Sequence, residues 1–266
     1  MAKTKIEWAE QSLNPYPGCK KVSEGCLNCY AEKMAMRLRG MGLPQYQAVV
    51  DENGWTGEIG YNEKWMRNAA LHISPPTVYF CQSMGDLFYE KVEFRFIDKV
   101  YQAMRNAPQH TFQILTKRAK RMAEYFENHG CPDNVWLGVS CENQKRADER
   151  IPYLLKTPAK VRFLSLEPLL APINICAVPD DKVRPAEFSA RCSPLGDIDW
   201  VIVGGESGPG ARPMHIDWVR SIRDQCVAAG VPFFFKQWGG VNKKKAGRIL
   251  DGRTWDEYPI CKGESL

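Results

Sequence analysis

The sequence predicts an α/β chain with parallel strands, wound into a sheet or barrel, and three observations predict it. Short runs of about six residues are apolar almost throughout, as in strands buried on both faces of a parallel sheet. Between them lie longer stretches with helical periodicity, so the repeating unit is strand–loop–helix, about five times over. The fixed hand of βαβ crossovers winds such a chain in one sense. Polar and charged residues also gather just after the apolar runs, which in a parallel barrel all point to the carboxyl-terminal face where chemistry is done.

In chain order the predicted strands are Thr77–Ser83, Thr111–Lys117, Val135–Cys141, Val161–Leu166, Trp200–Val203 and Pro232–Gln237. The predicted helices are Cys29–Leu38, with Tyr30, Met34 and Leu38 as its apolar positions, then Arg95–Ala107, Lys120–Asn128, Asn143–Leu155 and Asp217–Ala229. Asp217 is the expected N-cap of the last helix and Gly230 its stop. The strand-end polar groups are Gly85-Asp86, Lys117-Arg118, Glu142, Glu167, Glu206-Ser207 and Lys236-Gln237. Pro44–Pro76 has no clear period, Pro172–Asp199 reads as an insertion, and an extension starts near Gly239 with Lys243-Lys244-Lys245. Each is a surface connection or a lid. The expected organisation is a single domain over residues 1–266.

With 266 residues, 44% hydrophobic and 25% charged, the chain can bury a core, which excludes a disordered tail, a collagen or a coiled coil. No stretch approaches the roughly 18–20 apolar residues of a membrane span, and the N-terminus has no apolar signal region. The expectation is a soluble cytoplasmic protein without membrane partners. A net charge of +5 is compatible with an anionic partner without requiring one. No GxGxxG follows the first strand, which argues against a dinucleotide-binding domain.

The ten cysteines are unevenly placed. Cys81, Cys131, Cys141, Cys176, Cys192, Cys226 and Cys261 are scattered, as small buried thiols are. Cys19, Cys26 and Cys29 crowd into NPYPGCKKVSEGCLNCYA as C-x6-C-x2-C, on a Pro- and Gly-rich loop that opens into a helix at Cys29. Thiolates on one turn can converge on a metal, and the helix N-terminus lowers their pKa. A structural zinc needs a fourth ligand, for which His72 and Cys81 are distant candidates. A 4Fe–4S cluster held by three thiolates leaves one iron open. Three unligated thiols are the remaining possibility.

A three-cysteine loop ahead of (βα) repeats resembles the radical S-adenosylmethionine (SAM) superfamily, although the six-residue first gap departs from the usual C-x3-C-x2-C. TKIEW, NPYPGCKKVSEGCLNCYAEKMA, SMGDLF, ILTKR, NVWLGVSCEN, ADERIPYLL, RFLSLEPLL, DWVIVGGESGPGARP and FFFKQWGG resemble, in order, the bacteriophage and prophage three-cysteine family, described as radical-SAM-like. The resemblance implies a partial (βα)6-type TIM-like barrel of the radical SAM kind. It also implies a 4Fe–4S cluster on Cys19, Cys26 and Cys29, and SAM bound at the open iron and cleaved to a 5′-deoxyadenosyl radical. Gly85 and Asp86 would stand where the superfamily contacts the SAM amino group. Lys117 would pair with its carboxylate, and Ser140 and Glu142 would meet its ribose. Glu167, Glu206 and Lys236 would face the substrate.

A phage enzyme of this class implies work on nucleic acid, here the isomerisation or other modification of a thymine derivative (thymidine hypermodification). The substrate would be DNA or a modified nucleotide, in the host cytoplasm, with an electron donor as partner. A duplex base would have to be flipped out, with Trp238, Trp55 and Tyr61 as candidates to stack on it. A pyrimidine-damage repair lyase and a non-catalytic, zinc-stabilised nucleic-acid-binding protein are the alternative expectations.

Overall fold

The computed structural model describes residues 2–4, 6–61, 74–178 and 193–259. Its chain divides into two compact units, Met1–Trp136 and Leu137–Leu266. Both are mixed α/β.

The first unit holds strands β1 (Ala2–Lys3) and β2 (Gln11–Leu13), a small hairpin of β3 (Val50–Asp51) and β4 (Gly54–Trp55), and then β5 (Val78–Cys81) and β6 (Thr111–Thr116). β1 runs antiparallel to β2, whereas β2–β5 and β5–β6 pair in parallel. β2 is absent from the predicted strands: its three residues, Gln-Ser-Leu, are too few and too polar to announce a buried strand. β5 and β6 fall within the predicted runs. Helix α1 (Tyr30–Gly40) follows the cysteine loop, α2 (Phe94–Arg105) joins β5 to β6, and α3 (Ala119–Phe126) follows β6. α2 buries Phe96, Ile97, Val100, Tyr101 and Met104, the helical spacing that the sequence displays.

α1 differs from expectation. It buries Ala31, Glu32 and Ala35, while Tyr30 and Met34 lie 56% and 42% exposed. The small face is buried because it meets Tyr46, Val49 and Val50 from the Pro44–Pro76 segment at close range. Glu32 is buried without loss, since its carboxylate accepts from Trp55 N (2.9 Å) and pairs with Lys21 (2.8 Å). The aperiodic segment is therefore a packing partner of the cysteine loop and α1 as far as residue 61; His72 lies outside the described residues.

The second unit takes β7 (Val135–Ser140), β8 (Arg162–Leu166), β9 (Trp200–Gly204) and β10 (Phe233–Gln237), paired in parallel in that order. β7 and β9 are buried at every position, as continuous apolar runs require. Helix α4 (Gln144–Leu155) follows β7 and α5 (Ile216–Ala229) follows β9. The Asn143 side chain caps α4 by accepting from Arg146 N at 3.1 Å. At α5 the N-cap is His215, whose Nδ1 accepts from Asp217 N, so the predicted cap is instead the second residue of the helix. Gly230 ends α5 with φ 69°, as predicted.

The C-terminal extension lies along β10. Phe235 N donates to Trp255 O (2.9 Å), and Phe234 forms an antiparallel bridge with Asp256, which covers an otherwise open sheet edge. Cys176 corrects the reading of the scattered cysteines as thiols, because it is disulfide-bonded. Among the described residues no helix is long and apolar enough to cross a membrane.

One packing test follows from β7. Gly138 is paired with Phe163 of β8, and a Cβ there would stand 2.5 Å from the Phe163 ring. Gly138→Ala is expected to destabilise the chain by about 1–3 kcal/mol through overpacking, read as a lower urea midpoint with unchanged slope. An unchanged midpoint would contradict this account of the strand pair.

Candidate functional site

In the first unit the carboxyl ends of β2, β5 and β6 carry three loops that interlock. Asn14, just after β2, accepts from Ser83 Oγ (3.1 Å) and Met84 N (3.0 Å). Gly18 N donates to Met84 O (3.0 Å), and Gly18 and Gly85 form a parallel bridge. Neither glycine tolerates a side chain: Gly18 has φ 121°, and a Cβ on Gly85 would lie 2.5 Å from Gln82 Nε2 and 2.8 Å from Gly18 O. The close approach that Gly85 permits is thus to the cysteine loop itself. Gln82, at φ 72°, donates from Nε2 to Tyr16 O (2.6 Å), while its buried Oε1 has no hydrogen-bond partner among the described residues.

Cys19, Cys26 and Cys29 are free and partly buried. Cys26 closes a 3-10 turn, Glu24–Cys26, with Ser23 Oγ 3.9 Å from its sulfur, and Cys29 is the N-cap of α1. Cys19 lies deeper. Burial pushes its thiol up to about 12, the Asp86 carboxylate adds to the effect, and Arg118 opposes it. Cys26 and Cys29 add smaller effects in the same direction as Asp86.

Asp86 is the hub of the interlock. Its Oδ1 accepts from Phe88 N (3.0 Å) and Thr116 Oγ1 (2.7 Å), and its Oδ2 from Lys117 N (3.1 Å) and Arg118 Nη1 (3.0 Å). Its backbone carbonyl accepts from the buried Tyr16 hydroxyl. Four donors fill the carboxylate, so a ligand ammonium would have to displace one, whereas Gln82 Oε1 stands unfilled nearby. Lys117 is partly buried and takes part through its backbone N–H. Arg118, 7% exposed, reaches from the end of β6 to Cys19 Sγ (3.7 Å). Sequence reasoning placed Arg118 at a strand end but gave it no role; the only signal was its position beside Lys117.

In the second unit the strand ends carry three ion pairs. Beyond β7, Glu142 is fully buried and pairs with Arg150 of α4 at 2.9 Å, and Arg150 Nη1 also donates to Ser140 O (2.7 Å). Beyond β8, Glu167 meets Lys236 of β10 at 3.1 Å and accepts from Ser165 Oγ at 3.0 Å. Beyond β9, Glu206 is clasped by Arg212 Nη2 at 2.6 Å and by its Nε at 2.9 Å. The Glu167 and Lys236 side chains keep 14% and 16% of their surface exposed, so that pair is reachable; Ser140 and Glu142 are buried at 3% and 0%. Of the aromatic candidates, Trp55 packs on the α1 core and the Trp238 indole donates to Ile249 O (2.9 Å), whereas Tyr61 is 60% exposed.

The donor set suits a soft metal in kind: free thiols on one loop, one at a helix N-terminus and one beside a buried cation. Among the described residues no group of three His, Cys, Asp or Glu side chains converges as a metal-holding set. The fit is therefore one of donor chemistry and neighbourhood, not of a formed cage.

Fold and site together define a mixed α/β protein with polar and charged side chains at the carboxyl ends of parallel strands in each unit, and a three-thiol loop in the first. The chain belongs to the family described as "Protein of unknown function (DUF5131)", which matches residues 3–259. No curated protein and no solved structure matches it.

Proposed function

We propose that this chain is a radical SAM enzyme of the partial-barrel kind, which isomerises or otherwise modifies a thymine derivative, in phage DNA or as a nucleotide. The observation that carries the proposal is the set of three free thiols on one strand-end loop, with Arg118 beside Cys19. When bound, a 4Fe–4S cluster and SAM supply the one-electron chemistry that removes hydrogen from an unactivated C–H bond, for which acid–base side chains are inadequate.

Cys19, Cys26 and Cys29 would hold the cluster. Gln82 Oε1 would take the amino group of SAM beside Gly85 and Asp86, whose carboxylate already holds four donors. Lys117 would take the SAM carboxylate; Ser140 and Glu142, which the resemblance gives to the ribose, are buried and engaged by Arg150. We assign Glu167, Lys236 and Glu206 to the substrate. A carboxylate beside an ammonium matches the imide edge of a thymine: Glu167 accepts from N3–H while Lys236 Nζ donates to a ring carbonyl oxygen. The Glu206–Arg212 pair offers a second charged edge, suited to holding the nucleotide's polar groups.

The test is anaerobic reconstitution followed by metal, sulfide and SAM-cleavage assays. The expected result is about four irons per chain and reductant-dependent SAM cleavage. Stoichiometric zinc with no SAM binding would overturn the proposal and leave a zinc-stabilised nucleic-acid-binding protein. Nucleoside mass spectrometry of DNA from cells with and without the gene then tests the substrate: a mass change in a thymidine derivative is expected, and an unchanged nucleoside profile would remove DNA modification. Restoration of damaged pyrimidines to intact bases within the DNA would instead point to a repair lyase.

A further inference from the structure

We propose that Arg118 is a positioning residue for the cluster: its guanidinium tethers the Cys19 arm of the loop and donates to the Cys19 thiolate, which makes the cluster easier to reduce. The inference rests on the reading that the three cysteines hold an iron–sulfur cluster.

The geometry is specific. Arginine is seldom buried unless paired, and Arg118 is buried with every arm of its fork engaged. Nε donates to Glu90 (3.1 and 3.0 Å), Nη1 to Asp86 Oδ2 (3.0 Å) and Cys19 Sγ (3.7 Å), and Nη2 to Lys20 O (2.9 Å). The Tyr89 ring lies beneath it, 4.8 Å from Cζ. Asp86 is itself pinned by Phe88 N, Thr116 Oγ1 and Lys117 N, so the guanidinium has no room to swing. One planar fork thus grips two consecutive residues of the cysteine loop from 98 and 99 positions away.

This tether answers a need created by the sequence. Cys26 and Cys29 are held by a 3-10 turn and a helix start, two residues apart. Cys19 lies across a six-residue gap that includes Lys20 and Lys21, with no secondary structure of its own at that position. Gly18, just before Cys19, is anchored to Met84 O, and Arg118 extends that anchorage to Cys19 and Lys20 while putting a positive charge and an N–H donor at the sulfur.

The electronic consequence has a definite sign. Adding an electron to a thiolate-bound cluster increases its negative charge, and hydrogen bonds to its sulfurs favour the reduced state. A buried cation acts more strongly than one in water. Asp86 and Glu90 oppose it, but the Glu90 side chain is 62% exposed and therefore screened.

The experiment uses the full chain reconstituted anaerobically, as wild type, Arg118→Met, Arg118→Lys and Glu90→Gln, with iron and sulfide content, midpoint potential and thermal unfolding of the iron-free chain as readouts. Arg118→Met is expected to lower the midpoint potential by about tenfold in the reduction equilibrium, which for one electron is about 59 mV. Arg118→Lys recovers part of the shift because it keeps the charge without the fork. Glu90→Gln moves the potential only slightly the other way, because the anion it removes is screened. Arg118→Lys carries the test if Arg118→Met does not fold. Unchanged potentials in fully loaded Arg118 variants overturn the inference. So does iron lost only in proportion to thermal destabilisation, with the loaded fraction at the wild-type potential, since that describes a structural strap. A wild type that takes up no cluster removes the proposed function and this inference together; a loaded wild type with indifferent variants removes this inference alone.

Discussion

Cys29→Ala is expected to abolish iron–sulfur loading and SAM cleavage while leaving the fold intact. The thiol makes no side-chain capping bond to α1, so the helix loses little, on the order of 1 kcal/mol or less. What is lost is the sulfur at the helix N-terminus, where the aligned backbone dipoles favour a thiolate. Iron per chain after reconstitution, set beside the far-ultraviolet circular dichroism, measures both halves of this expectation. Cys226→Ala is the matched control. That thiol is fully buried in α5, and burial drives its pKa upward, so it behaves as an inert apolar group. It should cost stability and spare the iron. Wild-type iron loading in Cys29→Ala would show the ligand set to be wrong.

Arg150→Met is expected to produce the largest stability loss in the second unit. Glu142 and the Arg150 side chain are 0% and 2% exposed, and removing one partner leaves a buried charge uncompensated. Such losses run to about 3–5 kcal/mol, and in a chain of this size about 10 °C in Tm. The double variant Glu142→Gln/Arg150→Met should recover much of it, because two neutral side chains of similar shape replace the pair. Calorimetry of the three proteins decides the matter. A fall in Tm below about 2 °C in Arg150→Met would mean that the pair is not the structural brace its burial implies. The same variants bear on the role assigned to Glu142: a carboxylate committed to Arg150 has less to offer a ribose, so a SAM affinity that follows stability alone would reassign Glu142 to the scaffold.

Much of the fold is legible in the sequence because it is locally encoded. The continuous apolar runs became β5 to β10 with boundaries shifted by one or two residues, and the helices formed where the 3.6-residue period fell. Gly230 stops α5 as glycines do. Short polar β2 escaped notice because parallel pairing with β5, not its own composition, makes it a strand. The buried face of α1 was misjudged for a related reason: periodicity locates the apolar residues, but the neighbour that docks decides which face is covered, and here the close-fitting face of Ala31 and Ala35 met it.

The candidate site divides in the same way. The cysteine loop and the strand-end polar residues can be read directly, since each depends on a few adjacent residues and on the geometry of parallel strands. Their partners cannot. Arg118 at Cys19, Asp86 with Thr116, Lys117 and Arg118, Glu142 with Arg150 and Glu167 with Lys236 are pairings across 8 to 99 positions. Periodicity and turn chemistry act over a few residues, and a single sequence carries no signal of which distant side chains meet. The sequence alone thus marked which residues are candidates for the chemistry, and tertiary packing decided which of them are committed to one another and which stay available, because a buried charge is costly without a partner.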